Sequence, residues 1–179
     1  MSDTEIPPPL VLARLSRAAP FELRIEPGSA ARDALRADLE LLDLRKLRLE
    51  GRLVPEGAKD WRLEATLGAT AVQPCAITLA PVTTRIDVAV TRRYLDDFVE
   101  PDEAEAEMPE DETAEPLPAS LDLGEVIHES LALALPDFPR AEGAELGETV
   151  FAEPGVTPLS DESVKPFAGL AALKDSLKK

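Results

Sequence analysis

The sequence predicts an α+β domain: an antiparallel, curved or barrel-like β-sheet with two or three packed helices and a long acidic disordered loop. Three observations carry that prediction. From Lys46 to Tyr94, apolar residues recur at every second position in successive runs separated by short turns, as in strands with one buried face. On either side of this block they recur at spacings of three and four, as in amphipathic helices. Between the last strand and the following helix, eleven acids fall from Asp96 to Glu115 with no Lys or Arg among them.

Residues 1–9 are polar, end in three prolines and read as a flexible lead-in. Leu10 to Leu15 reads as a short strand. Phe21, Leu23 and Ile25 alternate with Glu22 and Arg24, a strand buried on one face. Pro27-Gly28 breaks it, and Ser29 is placed to cap a helix over 30–42, with Ala31, Leu35, Leu39 and Leu42 on its apolar side. The period then changes to two. Leu47, Leu49 and Leu53 point one way, and Lys46, Arg48 and Arg52 the other. After a Pro55-Glu56-Gly57 turn, Trp61, Leu63, Ala65, Leu67, Ala69 and Ala71 form the longest alternating run. Pro74 interrupts it, since proline cannot donate to a sheet ladder, and Cys75 to Leu79 reads as a short strand. Val82, Thr84, Ile86, Val88 and Val90 make a further inner face, which Arg92 continues toward Tyr94. Short connections between successive strands favour an antiparallel meander.

Over 96–118 the apolar pattern collapses. Such a segment buries too little surface to offset its ordering entropy, and its charges repel, so it reads as a disordered insertion. Order resumes at Leu121. Asp122 with Glu125 has the form of a capping box, and Val126, Ile127, Ser130, Leu131, Ala134 and Leu135 share one helical face ended by Pro136. A strand over 131–135 is the rival reading. Residues 165–177 form a short amphipathic tail helix presenting Phe167, Leu170, Leu173 and Leu177. The whole of 10–177 reads as one domain.

Charge is distributed unevenly. Residues 1–93 carry 13 acids and 14 bases, whereas 94–163 carry 21 acids and one base, within a chain whose net charge is −16. A near-neutral body with an acidic appendage is still able to touch RNA through its body. Aromatic residues make up only 4% of the chain, so the core rests on aliphatic side chains and Trp61. The single cysteine excludes an internal disulfide framework and any Cys-rich zinc site. The N-terminal residues have neither the basic nor the apolar region of a signal peptide, and no apolar run approaches the roughly 18 residues of a membrane span. A reduced, cytoplasmic setting is the simplest reading, with no membrane contact.

Three constellations carry candidate chemistry. Arg45, Lys46, Arg48 and Arg52, with Arg92 and Arg93 at the end of a later strand, form a basic patch suited to an RNA backbone, although no aromatics are interleaved for base stacking; a solvated sheet face is the alternative. Asp122, Glu125 and Glu129 share a helix face and offer either helix capping or acid–base and metal chemistry. Cys75 and His128, each the only one of its type, would make a nucleophile and base if the fold joined them; otherwise they are packing and surface residues. The acidic run offers a shield for a basic protein partner or a solubilising linker. Nucleotide-binding, hydrolase and metalloprotease motifs are absent from the sequence.

The stretch CAITLAPVTTRIDVAVTRRY, the acidic gap, DLGEVIHESLALALPDFPR and the closing KPFAGLAALK together resemble the YceD-like family of large ribosomal RNA subunit accumulation proteins. The resemblance spans Leu10 to Leu177 and rests on the order of these blocks. It implies a cytoplasmic bacterial factor, without enzymatic activity or cofactor, that supports accumulation of large-subunit ribosomal RNA. The implied partners are precursor RNA, a basic large-subunit ribosomal protein, or both. The matching positions are Cys75, Pro81, Arg93, Asp122, Glu125, Glu129, Leu135 and Pro136, with Pro166, Phe167 and Leu173 in the tail. Many members of the family carry a second cysteine near the first, and some carry a cysteine cluster after the helix. This chain has Cys75 alone, and Pro136 to Arg140 where that cluster would fall, so the resemblance implies no metal here. A protein–protein adaptor docking through the tail helix is the other binding reading; an enzyme using Cys75 with His128, or the carboxylates with a metal, is the third.

Overall fold

The computed structural model describes residues 6–99 and 113–147. Met1–Glu142 form one compact unit and Gly143–Lys179 a second, of which the described residues 143–147 carry neither helix nor strand. The tail helix expected over 165–177, with Phe167, lies outside the described residues, as does the acidic stretch 100–112.

The first unit is α+β. A five-stranded sheet has the order β2 (Phe21–Ile25), β3 (Asp43–Pro55), β4 (Trp61–Pro74), β5 (Pro81–Leu95) and β6 (Ala114–Pro116). Two helices accompany it, α1 (Ser29–Asp38) and α2 (Leu123–Ala134). A separate two-residue ladder joins β1 (Leu10–Val11) to β7 (Ser120–Leu121). The expected strand over 10–15 is therefore mostly a 3₁₀ turn, Leu12–Arg14, which swings Leu12 into the core.

The meander expected from the alternating runs is present: β2 to β5 pair antiparallel in sequence order. Two corrections follow from backbone chemistry. Cys75 to Leu79 is the β4–β5 hairpin loop, not a strand, closed by Cys75 N–H to the Ala80 carbonyl at 2.7 Å and Leu79 N–H to the Cys75 carbonyl at 3.0 Å. Pro74 and Pro81 face each other at its base, and neither has an N–H to extend the ladder. The sheet is also mixed, because β6 runs parallel to β5 in the register Arg93↔Ala114 to Leu95↔Pro116. Part of the insertion expected to be disordered is thus a strand. Arg93 N–H donates to the Thr113 carbonyl at 2.7 Å, and Leu117, partly buried against the core, donates to the Leu95 carbonyl at 2.9 Å.

The helix ends are set locally. Gly28, with extended backbone and no side-chain cap, precedes α1, so Ser29 is its first residue and not its cap. The helix stops at Asp38, short of Leu42, because Glu40 adopts a φ of 52°. Leu41 then donates to the Arg36 carbonyl at 2.9 Å and Glu40 to Ala37 at 3.3 Å, a Schellman closure that buries Leu41. In α2, Asp122 Oδ1 accepts from Gly124 N–H at 2.8 Å and Glu125 N–H at 3.4 Å, as a helix cap should. Residues 131–134 complete this helix, Leu135 is its extended C-cap, and Pro136 follows.

The core lies against the inner sheet face. Leu49, Leu53, Leu63 and Leu67 from the sheet meet Leu123, Ile127 and Leu131 from α2, all fully shielded from solvent. Leu35 of α1 and Leu39, just beyond its end, pack at the margin. Among the described residues, no helix is long and apolar enough to cross a membrane.

Candidate functional site

The alternation of β5 separates the two arginines at its end. Arg93 sits opposite Arg62 on the outer face and pairs with Glu56 at 3.2 Å. Arg92 sits opposite Leu63 on the inner face, with only 13% of its side chain exposed. Its guanidinium reaches Glu115 of β6 at 3.0 Å and Glu129 of α2 at 2.9 Å, so one side chain links three elements. Burial alone would lower its pKa, but the hydrogen bond to Glu129 and the charge of Glu115 outweigh it and raise the pKa.

Two residues on, Tyr94 again faces inward, opposite Trp61 and 2% exposed. Its hydroxyl has no hydrogen-bond partner among the described residues. Burial first, then the negative charge of Glu115, pushes that hydroxyl well above the ordinary tyrosine range, so it stays neutral. A cavity of about 240 Å³ opens among Arg92, Tyr94, Glu115, Asp122, Glu125 and Glu129. The three carboxylates that share a helical face in the sequence thus converge with Arg92 in space. Asp122 is committed to its cap and Glu129 to Arg92, while Glu125 has no cationic partner among the described residues. Among those residues, no group of three or more His, Cys, Asp or Glu side chains is arranged to hold a metal ion.

Glu115 and Tyr94 complete this site, and sequence reasoning assigned neither to it. Tyr94 was legible only as the end of an inner face. Glu115 looked like one more acid in an unstructured run; its sole signal was the apolar Leu117 two residues later.

The remaining bases are interleaved with acids. Arg45 pairs with Asp43 at 2.9 Å, Arg48 with Asp87 at 3.2 Å, and Arg52 with Glu64 at 2.8 Å. The bond from Arg52 holds the Glu64 carboxyl below the usual carboxylate range, and Arg85 does the same for Asp87. Lys46 does not share a regular face with Arg48 and Arg52, because a bulge between Arg45 and Arg48 holds it at a φ of 52°. It has no acidic partner among the described residues.

Cys75 and His128 are not joined by any hydrogen bond among the described residues. His128 Nε2 meets Asp38 at 2.7 Å, bridging the two helices. The buried Cys75 sulfur instead accepts from the backbone N–H groups of Ile77, Thr78 and Ala141, each at 3.4 Å. These donors, Ala141 foremost, lower its pKa from 9.0 to about 6. The loop and the end of β4 dock on the chain after α2: Ala76 N–H donates to the Pro139 carbonyl at 2.8 Å, and Gln73 Nε2 to the Pro136 carbonyl at 3.2 Å. Pro136 therefore sits where the end of β4 meets the end of α2.

A family model described as large ribosomal RNA subunit accumulation protein YceD matches residues 63–174, from β4 through α2 and beyond. No match is found among the curated proteins or the solved structures.

Proposed function

The chain belongs to the YceD family of large ribosomal RNA subunit accumulation proteins, and from that premise we propose that it supports accumulation of large-subunit ribosomal RNA as a binding factor without a catalytic step. Its direct partner is a basic protein of the large subunit, in preference to naked RNA. The observation that supports this choice is the ion pairing of the candidate RNA-binding arginines. Arg45, Arg48, Arg52, Arg92 and Arg93 each face a carboxylate within 3.2 Å. A phosphate would have to displace those carboxylates, whereas the acidic surface around α2 and β6 stands ready for a cation. The exposed pairs are individually weak, about 0–1 kcal/mol, but together they remove the net positive potential that steers RNA.

The test is capture of the tagged full-length protein from cells, with and without ribonuclease, followed by identification of protein and RNA. The expected result is a basic large-subunit ribosomal protein that stays bound after ribonuclease treatment. Loss of every ribosomal protein on ribonuclease treatment, with ribosomal RNA crosslinking directly to this chain, would instead assign it an RNA partner.

A further inference from the structure

We infer that the cavity between α2, β5 and β6 is a receptor for one arginine or lysine side chain of a basic polypeptide. The inference rests on the reading of the protein as a binding factor and specifies where the partner is gripped.

The charge of the site comes first. Glu115, Asp122, Glu125 and Glu129 all line the cavity, with a single guanidinium among them, that of Arg92, which pairs with Glu115 and Glu129. Even with Asp122 committed to the helix cap, the cavity holds an excess of negative charge, which rejects phosphate and favours a cation. Glu125 and Glu129 stand four residues apart on one helix, where like charges repel. Arg92 relieves Glu129, but among the described residues Glu125 has no counter-charge.

The second, independent observation is the Tyr94 hydroxyl. Tyr94 lines the cavity and is 2% exposed, and its hydroxyl, shielded from bulk water, has no hydrogen-bond partner among the described residues. A buried hydroxyl without a hydrogen bond is costly and is rare in native structures. A cation carrying several N–H groups would satisfy both vacancies at once, donating to the Tyr94 oxygen and to the Glu125 carboxylate. Pro118, Leu121 and Val126 add apolar surface to the lining. That combination suits a side chain with a methylene stem and a charged head better than a bare ion. Arg92 already holds Glu115 and Glu129 in place, so the receptor is preorganised.

Tyr94 is the only tyrosine in the chain, so it reports directly on the cavity. In full-length protein carrying 13C-labelled tyrosine, the Cζ resonance is followed during titration with the blocked pentapeptide Gly-Ser-Arg-Ser-Gly. The same peptide with citrulline, the neutral isostere of arginine, serves as control. The expected result is a saturable shift with the arginine peptide and none with the citrulline peptide. Glu125→Gln should weaken that response by at least about tenfold, as loss of a charged hydrogen bond implies. Its side chain is exposed, so the variant is expected to fold normally; an unchanged Trp61 near-UV dichroism signal checks this. No saturable shift, an equal shift with citrulline, or an unaltered response in Glu125→Gln overturns the proposal. So does a shift that appears only after residues 164–179 are removed, which would assign the cavity to the lysines of the chain's own tail. A silent Tyr94 beside a captured basic ribosomal protein defeats the cavity and spares the broader reading; a saturable Tyr94 response with no captured protein does the reverse.

Discussion

The Cys75 sulfur is closed off from solvent and faces three backbone N–H groups, which favour the thiolate. Its pKa of about 6 in the folded chain lies below the 9.0 of a free thiol. The thiolate therefore contributes stability fully above the unfolded pKa, and that contribution is lost as the pH falls through about 6. Thermal midpoints of the native protein and of Cys75→Ser should diverge as pH rises from 6 to 9, with the native protein gaining. Serine keeps an acceptor at the site but does not ionise, so parallel curves would mean that the sulfur stays protonated. Arg92 marks how far the alternation of a strand carries for a single residue. It places Arg92 on the inner face beside Val90, and Arg92 is there. Its partners Glu115 and Glu129 were not legible, because they come from two other elements that only tertiary packing brings to the same guanidinium.

At the level of elements, the β3–β4 pairing fixes the sheet. Gly51 lies opposite Ala65 in this ladder, and a Cβ there would strike the Glu64 carbonyl oxygen and the Ala65 Cα, both backbone atoms. Gly68 lies opposite Arg48, and the nearest atoms a Cβ there would meet all belong to the Arg48 guanidinium, the closest at 2.5 Å. The two glycines thus predict different costs for the same change. Gly51→Ala should destabilise by about 3 kcal/mol, because the strands must part. Gly68→Ala should cost less than about 1 kcal/mol, since a flexible arginine can swing off Asp87. Urea unfolding midpoints of the two variants decide it, and equal shifts would refute the account. The long strands and α2 were legible because each repeats its period over many residues. The three-residue β6 and two-residue β1 and β7 hold no period to read. Glu40 in the left-handed region hid the end of α1, because a glycine signal was missing there.

At the scale of the whole molecule, the uneven charge was evident in the chain, but its meaning depends on which bases are already paired. A body with 13 acids and 14 bases can still bind RNA if the bases cluster apart from the acids. Here Glu26, Glu50, Glu64 and Asp87 alternate with Arg24, Arg48, Arg52 and Arg85 across the sheet and bind them directly. If Arg45, Arg48, Arg52 and Arg93 each neutralised a phosphate, single-stranded RNA binding would fall with salt at a logarithmic slope of about −3, near −0.7 per contact. With those arginines held by carboxylates, few counterions are released, so the slope for the full chain should be shallower than about −1. Replacing Arg48 and Arg52 with glutamine should leave it unchanged, because neither is available to RNA at the start. Fluorescence anisotropy of a labelled large-subunit RNA fragment from 50 to 200 mM salt, roughly the range over which such effects are pronounced, measures both quantities. A slope near −3 that relaxes by about 0.7 with each arginine removed would show that RNA opens the ion pairs. The sheet face would then be the nucleic-acid surface, and the acidic cavity would not be the principal contact.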